Sequence, residues 1–309
     1  MSQPYPVFLK PFLPILGGLG IAYIAICAFL YFRQTRMIFF PSWRIETTPA
    51  FFNLEYEEIW LTVSEDPLER IHGWWLPVEA DREVGVLLYL HGNGINIGAN
   101  IAHAHRFYQM GFSVLLMDYR GYGLSEGGFP NEEQVYKDTE VMWSYLTQER
   151  QIPPDRIFVY GHSLGGAIAI ELATRHPEMA GLIIDGSFSS LRDMVNLNPS
   201  LRLFPIDWLL TQEFNSIQKV PELQSPVLFI HGLADTTVPP SMSQKLYAAA
   251  PDPKQLYLVP EAGHNNVAEV AGAEYLQTVQ SFVLKADAAT DGKLSPISRA
   301  GNRSSGAGN

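Results

Sequence analysis

A serine lies where a strand pattern gives way to a helix pattern. Residues 161–165 read Gly-His-Ser-Leu-Gly and match the G-x-S-x-G pattern around Ser163. Residues 157–160 form a short apolar run typical of a buried parallel strand, and residues 164–173 have the periodicity of an amphipathic helix. A serine on such a tight turn presents its hydroxyl above the sheet edge, where it can attack a carbonyl carbon. We therefore predict that Ser163 is a nucleophile.

A nucleophilic serine needs a base to take its proton and an acid to orient that base. Asp235 follows the strand pattern of residues 226–230, and His264 follows that of residues 255–259. Because the carboxyl ends of parallel strands meet at one edge of a sheet, both side chains are expected near Ser163. The chemistry assigns His264 as the general base and Asp235 as the carboxylate that holds its imidazole in the useful tautomer.

A second carboxylate competes for the acid role. Asp185 directly follows the apolar run of residues 182–184, so it is also predicted at the carboxyl end of a strand. Asp235 has the alternative role of a turn-former in its Leu-Ala-Asp-Thr-Thr loop. Of the nearby histidines, His162 is expected to pack beside the serine turn, and His231 is expected to order its loop.

Acyl transfer also needs donors for the negative charge that develops on the carbonyl oxygen. The backbone N–H of Leu164, directly after the nucleophile, is one predicted donor. The second is assigned to the loop after the strand of residues 84–90, which reads His-Gly-Asn-Gly at residues 91–94. Within this loop Asn93 is the predicted donor and Gly94 the alternative, since glycines let the backbone turn its amides toward a substrate.

Seven segments together are far more specific than the serine motif alone. They are residues 73–77, 91–94, 118–127, 161–165, 187–191, 231–235 and 263–265. Through them residues 37–285 resemble serine hydrolases of the α/β-hydrolase superfamily, in the membrane-anchored Bem46-like branch related to the ABHD proteins. The resemblance implies an α/β-hydrolase fold with a mainly parallel eight-stranded sheet and a triad in the chain order Ser163, Asp235, His264. It also implies lipids or acylated proteins as substrates.

The order of predicted strands and helices also indicates an α/β fold, independently of the resemblance. From residue 84 onward strand and helix patterns alternate, which predicts a mainly parallel sheet with helices on both faces. Residues 59–63 and 71–76 read as a preceding hairpin-like pair. Residues 191–225 are unusually apolar, and we predict a short lid beside the active site; a crossover helix packed on the sheet is the alternative. An apolar lid favours acyl-chain substrates.

The amino-terminal region has the composition of a membrane-spanning helix. No charged residue occurs between Lys10 and Arg33, and the apolar run of about 20 residues is long enough to cross a bilayer. We predict a single-pass anchor in residues 1–36, with a helix over about 11–32. The alternatives are a cleaved signal peptide, a lipoprotein signal at Cys27 and a buried soluble helix.

Charges beside the apolar run indicate its orientation. Arg33, Arg36 and Arg44 follow the run, whereas Lys10 and the terminal amine precede it. The positive-inside rule therefore favours a cytoplasmic catalytic domain.

Residues 286–309 have a different composition from the rest of the chain. They are rich in Ala, Gly, Ser, Asn and Asp and have hardly any large apolar side chains. Such a segment buries too little surface to order itself, so we predict a disordered tail after a catalytic domain of residues 37–285.

Composition argues against several other functions. The formal net charge of −11 argues against a nucleic-acid partner. The sequence has no Gly-rich dinucleotide fingerprint and no phosphate-binding Gly-Lys-Ser/Thr, so no cofactor is expected. His103 and His105 lie two apart on a predicted helix and face different directions, so no metal site is expected there.

These residues predict an acyl hydrolase. The predicted reaction is cleavage of an ester, thioester or lipid acyl bond through an acyl-serine intermediate on Ser163, with a small-molecule, lipid or protein acyl substrate. An amidase or peptidase with the same triad is the alternative within enzymes. A ligand-binding or scaffold protein on a hydrolase fold is the alternative outside them. The sequence does not indicate an oligomeric state.

Overall fold

A central sheet positions the candidate residues. The structure is a computed structural model that describes residues 13–289 of the 309-residue chain. In this part of the chain the strands are β1 (Phe40–Pro41), β2 (Glu57–Glu65), β3 (Leu68–Leu76), β4 (Gly85–Leu90), β5 (Gly94–Ile95), β6 (Phe112–Met117), β7 (Ile157–His162), β8 (Gly181–Asp185), β9 (Val227–Gly232) and β10 (Lys254–Val259). The α-helices are α1 (Leu13–Ile38), α2 (Ile101–Gln109), α3 (Glu132–Ser144), α4 (Leu164–Arg175), α5 (Leu191–Asn196), α6 (Ile206–Leu209), α7 (Ser216–Lys219), α8 (Pro240–Ala249), α9 (Val267–Ala271) and α10 (Ala273–Ala289).

Eight strands form one sheet in the order β10-β9-β8-β7-β4-β6-β3-β2. The six strands from β10 to β6 are parallel to one another, whereas β3 pairs antiparallel with both β6 and β2. This confirms the prediction of a mainly parallel eight-stranded sheet that begins with a hairpin. Strands such as β4 and β8 are buried along their whole length, which explains their continuous apolar sequences.

Helices cover both faces of the sheet, as predicted. Side chains alternate between the faces along each strand, so Leu87 and Leu88 of β4 belong to two different core clusters. The cluster with Leu87 includes the buried side chains of α2 and α10. The cluster with Leu88 includes those of α3, α4 and α8. This layering leaves the carboxyl ends of the parallel strands free to carry a site.

A second, two-stranded sheet joins the end of α1 to the loop after β4. It pairs β1 in parallel with β5. The Phe40 N–H donates to the Asn93 carbonyl at 2.8 Å, and the Ser42 N–H donates to the Ile95 carbonyl at 2.8 Å. The first residues after α1 are therefore attached to the loop in which we predict an oxyanion donor.

Helix α1 is the one helix in residues 13–289 that is long and apolar enough to cross a membrane, over Pro14–Ile38. It ends at Ile38, beyond the predicted end near residue 32. The helix continues because residues 33–38 contain no Gly or Pro; the next proline, Pro41, lies after its end. Residues 11 and 12 of the predicted helix lie outside the described residues.

The predicted lid region, residues 191–225, consists of short helical segments with two different environments. Residues 191–210 form α5, a 3-10 turn and α6, and several of their side chains line a cavity. We call these residues the lid. The part around α7 packs into the core, where Ser216 and Val220 are fully buried. The first part lines the cavity, as expected of a lid, and the second packs as a crossover would; that the first part acts as a lid stays a prediction.

The last helix, α10, extends to Ala289 and so continues into the predicted tail. Ala286 is buried in the same core cluster as Phe282 and Val283, since the three residues share one helical face. The folded part of the chain therefore extends beyond residue 285, the predicted end of the catalytic domain. Residues 290–309 of the predicted tail lie outside the described residues.

Candidate active site

Ser163 lies on a strained turn between β7 and α4. Its backbone has φ 53° and ψ −116°, in a region that a residue with a side chain rarely adopts. The Ser163 N–H donates to the Asp185 carbonyl at 2.9 Å, and the Ser187 hydroxyl donates to the Ser163 carbonyl at 2.8 Å. These bonds hold the turn and leave the Ser163 hydroxyl free to meet another side chain.

Two glycines allow the turn to pack closely. A Cβ on Gly161 would lie 2.4 Å from the Gly165 carbonyl oxygen, and a Cβ on Gly165 would lie 2.1 Å from the Leu90 carbonyl oxygen. Only glycine fits at such separations. The two glycines of the G-x-S-x-G pattern are therefore required because the start of α4 lies so close to β4 and β7.

The three predicted triad side chains lie in contact. His264 Nε2 is 3.0 Å from the Ser163 hydroxyl oxygen, and His264 Nδ1 is 2.6 Å from Asp235 Oδ2. Because Nδ1 faces a carboxylate, it carries the proton and donates, which leaves Nε2 to accept the serine proton. Asp235 lies after β9 and His264 after β10, so adjacent parallel strands bring them together.

Asp235 is held by bonds to both of its oxygens. Asp235 Oδ1 accepts the N–H groups of Thr237 at 2.7 Å and Val238 at 2.9 Å. Asp235 Oδ2 also lies 3.1 Å from His231 Nε2. Burial alone would raise the pKa of Asp235, but hydrogen bonds from His231 and His264 outweigh it and hold this pKa well below its usual range. The carboxyl group is therefore ionised across the physiological pH range.

The competing carboxylate, Asp185, points elsewhere. Asp185 Oδ2 accepts a hydrogen bond from the Tyr160 hydroxyl at 3.1 Å. Burial raises the pKa of Asp185 to about 6. The imidazole of His264 faces Asp235, so the geometry favours Asp235 as its partner.

Two histidines have contacts that sequence reasoning missed. His162 Nε2 donates to the His264 carbonyl at 3.0 Å, and its pKa is lowered to about 3 by burial and by the neighbouring His264. His231 Nε2 lies near both Asp235 Oδ2 and the Val238 carbonyl, two acceptors, so it carries a proton and donates. The spacing of four residues between His231 and Asp235 is the one sequence signal that could have indicated this contact.

The two residues predicted to supply oxyanion donors line the same cavity as Ser163. Leu164 is the first residue of α4, so its N–H has no acceptor within the helix. The Asn93 carbonyl accepts hydrogen bonds from the Phe40 N–H at 2.8 Å and the Tyr122 hydroxyl at 2.7 Å. This carbonyl belongs to the peptide group that carries the N–H of Gly94, the alternative donor. Asn93 and Leu164 both line the cavity that contains Ser163.

A cavity of about 730 Å³ opens over Ser163 and His264. Its apolar walls come largely from the lid, with Leu191, Met194, Val195, Leu201, Ile206 and Leu209. Other lining residues come from α1. No group of three or more His, Cys, Asp or Glu side chains within residues 13–289 is arranged to hold a metal ion.

Known proteins are similar to this chain in sequence and in fold. A family model described as serine aminopeptidase, S33, matches residues 81–220. Protein bem46 of Schizosaccharomyces pombe is 31% identical over 288 residues, which cover 88% of this chain and 92% of that protein. A protein of Saccharomyces cerevisiae named uncharacterized membrane protein YNL320W is 30% identical over 281 residues, which cover 87% of this chain and 95% of that protein.

A solved structure shows the same fold at lower identity. The esterase Pf2001 of Pyrococcus furiosus superposes with a TM-score of 0.65 and 20% identity, over 80% of this chain and 98% of that one. The identity to bem46 along nearly its whole length, together with the sheet order, shows that the chain belongs to the α/β-hydrolase superfamily, in its Bem46-like branch.

Proposed function

We propose that the protein is a membrane-anchored serine hydrolase that cleaves an ester, thioester or lipid acyl bond through an acyl-serine intermediate. One observation carries the proposal: the unbroken series of contacts from the Ser163 hydroxyl through His264 to Asp235, with separations of 3.0 and 2.6 Å. In this arrangement a serine, an imidazole and a carboxylate can act together as nucleophile, general base and orienting acid.

The reaction has two half-reactions. Ser163 Oγ attacks the carbonyl carbon while His264 Nε2 takes its proton; the tetrahedral intermediate then expels an alcohol or thiol, which leaves with that proton. Water attacks the acyl-serine, again giving a proton to His264, and the carboxylic acid departs as Ser163 regains its proton. Asp235 holds the imidazole and stabilises its protonated form throughout.

The developing oxyanion is assigned to two backbone donors, the N–H groups of Asn93 and Leu164. Support comes from their place on the cavity wall and from the position of Leu164 at the start of α4. Donors that are already oriented lower the barrier without reorganisation during the reaction.

The cavity favours an acyl substrate over a peptide amino terminus. The matching family model is described as serine aminopeptidase, and an aminopeptidase has to bind a substrate ammonium group. A carboxylate would suit that role. Among the described residues, those that line the cavity include no Asp or Glu, and most are apolar. An aliphatic chain fits such a lining better.

We also assign α1 as a single-pass anchor and residues 1–36 as the anchor segment. The support is a helix of spanning length with apolar, mostly exposed side chains, and a similar yeast protein that is named a membrane protein. The arginines Arg33 and Arg36 at the carboxyl end of α1 favour a cytoplasmic catalytic domain.

A fluorophosphonate probe tests the proposal, because it reacts with activated serines. We expect the full-length protein to be labelled and Ser163→Ala to lose labelling and ester hydrolysis. Ser241→Ala, a matched change at an exposed serine on α8, should behave as the unchanged protein. Absence of labelling in folded protein would contradict the proposal and favour a ligand-binding role. Faster cleavage of aminoacyl amides than of acyl esters would favour the peptidase alternative.

A further inference from the structure

We propose that α1 is a wall of the substrate cavity as well as an anchor, and that the substrate is a long-chain acyl ester of a membrane lipid, which enters from the bilayer between α1 and the lid. This inference rests on the proposed function, because it concerns the substrate of the same serine.

One face of α1 is covered and the opposite face is exposed. Cys27, Leu30 and Gln34 follow one another at spacings of three and four residues, so they share a helical face. Cys27 and Leu30 are half-buried and Gln34 is buried. On the opposite side Ile21 is 72% exposed and Phe32 is 78% exposed. The covered face has a protein neighbour, and the exposed apolar face suits lipid.

Gln34 bonds that face of α1 to the end of the lid and to the two residues that follow it. Its side-chain oxygen accepts the Thr211 N–H at 2.9 Å and the Gln212 N–H at 3.3 Å. Its side-chain nitrogen donates to the Leu209 carbonyl at 3.2 Å. A buried amide with both ends paired to backbone groups fixes the position of the lid relative to α1, since breaking these bonds would leave buried polar groups unpaired.

A second contact lies deeper along the helix. The Tyr23 hydroxyl donates to the Leu203 carbonyl at 3.1 Å, and the Tyr23 ring stacks on Phe204 with centroids 5.4 Å apart. Tyr23 precedes Arg33, the first charge after the apolar run, by a helical distance of about 15 Å. If Arg33 marks the headgroup level, the tip of the lid lies at the depth of the acyl chains.

The lid exposes large apolar side chains, as expected of a segment at the depth of the acyl chains. Leu203 is 74% exposed and Trp208 is 84% exposed. Large apolar side chains that would meet water in a soluble protein meet hydrocarbon here. The lid and α1 therefore share one lipid-facing surface.

The cavity extends from the contact between α1 and the lid to the nucleophile. Leu30, Gln34 and Met37 of α1 line the same cavity as Ser163 and His264. Its volume of about 730 Å³ lies within the range of small-molecule sites, roughly 300–1,000 Å³. An acyl chain between α1 and the lid would place its carbonyl carbon at Ser163 without leaving an apolar environment.

The test uses the full-length protein in phosphatidylcholine vesicles with two probes, a butyl and a hexadecyl fluorophosphonate, and measures the rate of Ser163 labelling. We expect the hexadecyl probe to react faster. Leu30→Trp fills the cavity from α1 and should slow the hexadecyl probe about tenfold while the butyl rate stays nearly unchanged. Ile21→Trp, on the exposed face of the same helix, should leave both rates unchanged.

The outcomes separate the two proposals. No labelling of unchanged protein by either probe would contradict the proposed function. Labelling by both at equal rates, or equal slowing of both by Leu30→Trp in folded protein, would overturn the cavity inference alone. If Leu30→Trp does not fold, Leu30→Ala should still slow the hexadecyl probe selectively. Cleavage of an S-palmitoyl peptide but not of a long-chain monoacylglycerol in the vesicle would overturn the choice of a lipid.

Discussion

The side-chain amide of Asn93 donates to the Ile38 carbonyl at 2.7 Å, so the loop after β4 is bonded to the last residue of α1. The Phe40 N–H and the Tyr122 hydroxyl donate to the Asn93 carbonyl. These bonds attach Asn93, the residue to which we assign an oxyanion donor, to the end of α1 and to β1.

Removing a bond that holds Asn93 should slow the reaction without abolishing it. We expect Asn93→Ala and Tyr122→Phe each to lower kcat for an acyl ester roughly tenfold, less than the 10²- to 10³-fold typical of a lost oxyanion donor, because the N–H itself stays. Tyr108→Phe, on α2, is the matched control. Unchanged kcat in both variants would refute the role given to this loop.

Matched amide substitutions distinguish which of the two carboxylates, Asp235 or Asp185, orients His264. Asp235→Asn should lower kcat by roughly 10³- to 10⁴-fold, since its amide nitrogen would donate to His264 Nδ1 and favour the tautomer that cannot accept the serine proton. Asp185→Asn should change kcat far less, because its side chain bonds Tyr160. The reverse order of effects in steady-state kinetics would reassign the acid.

The buried Asp185 also predicts a pH dependence of stability. Its pKa is raised to about 6 by burial, so the folded state holds this proton to higher pH than the unfolded state does. The free energy of unfolding therefore falls as pH rises from about 4 to about 6, by about 3 kcal/mol in all. Asp185→Asn cannot ionise, so its Tm relative to the unchanged protein should be higher at about pH 7.5 than at about pH 5. An equal Tm difference at both pH values would be inconsistent with this shift.

The serine turn predicts a sharp difference between two glycines. Gly165→Ala would place its Cβ 2.1 Å from the Leu90 carbonyl oxygen, whereas nothing lies within 4 Å of a Cβ on Gly128. We expect the first change to cost about 3 kcal/mol of unfolding free energy or more and the second close to none. Thermal unfolding of both variants checks this, and similar Tm values would mean that β4 and α4 are less closely packed.

The sequence predicted the sheet and the meeting of three side chains because parallel strands end at one edge. It left Asp185 and Asp235 in competition, since both follow a strand. Strand alternation decides between them: Asp185 lies on the same face as Tyr160, in the layer with α2 and α10. Which face of the sheet Asp185 lies on depends on the register of its strand with the neighbouring strands. The spacing of residues in the sequence does not give that register.

The contacts that α1 makes with residues 209–212 could not be predicted from the sequence. The apolar run predicted a helix, but Gln34 was unremarkable beside Arg33 and Arg36. Its significance comes from bonds to Leu209 and Thr211, more than 170 positions away in the chain. Contacts at such separation depend on the whole fold and leave no local pattern.

The most direct test is mass spectrometry of the protein quenched during turnover of a 4-nitrophenyl acyl ester. We expect an acyl group on the peptide that contains Ser163, with neither adduct nor turnover in Ser163→Ala. Full turnover by Ser163→Ala, or an acyl group that resides only on another residue, would contradict the proposed role of Ser163.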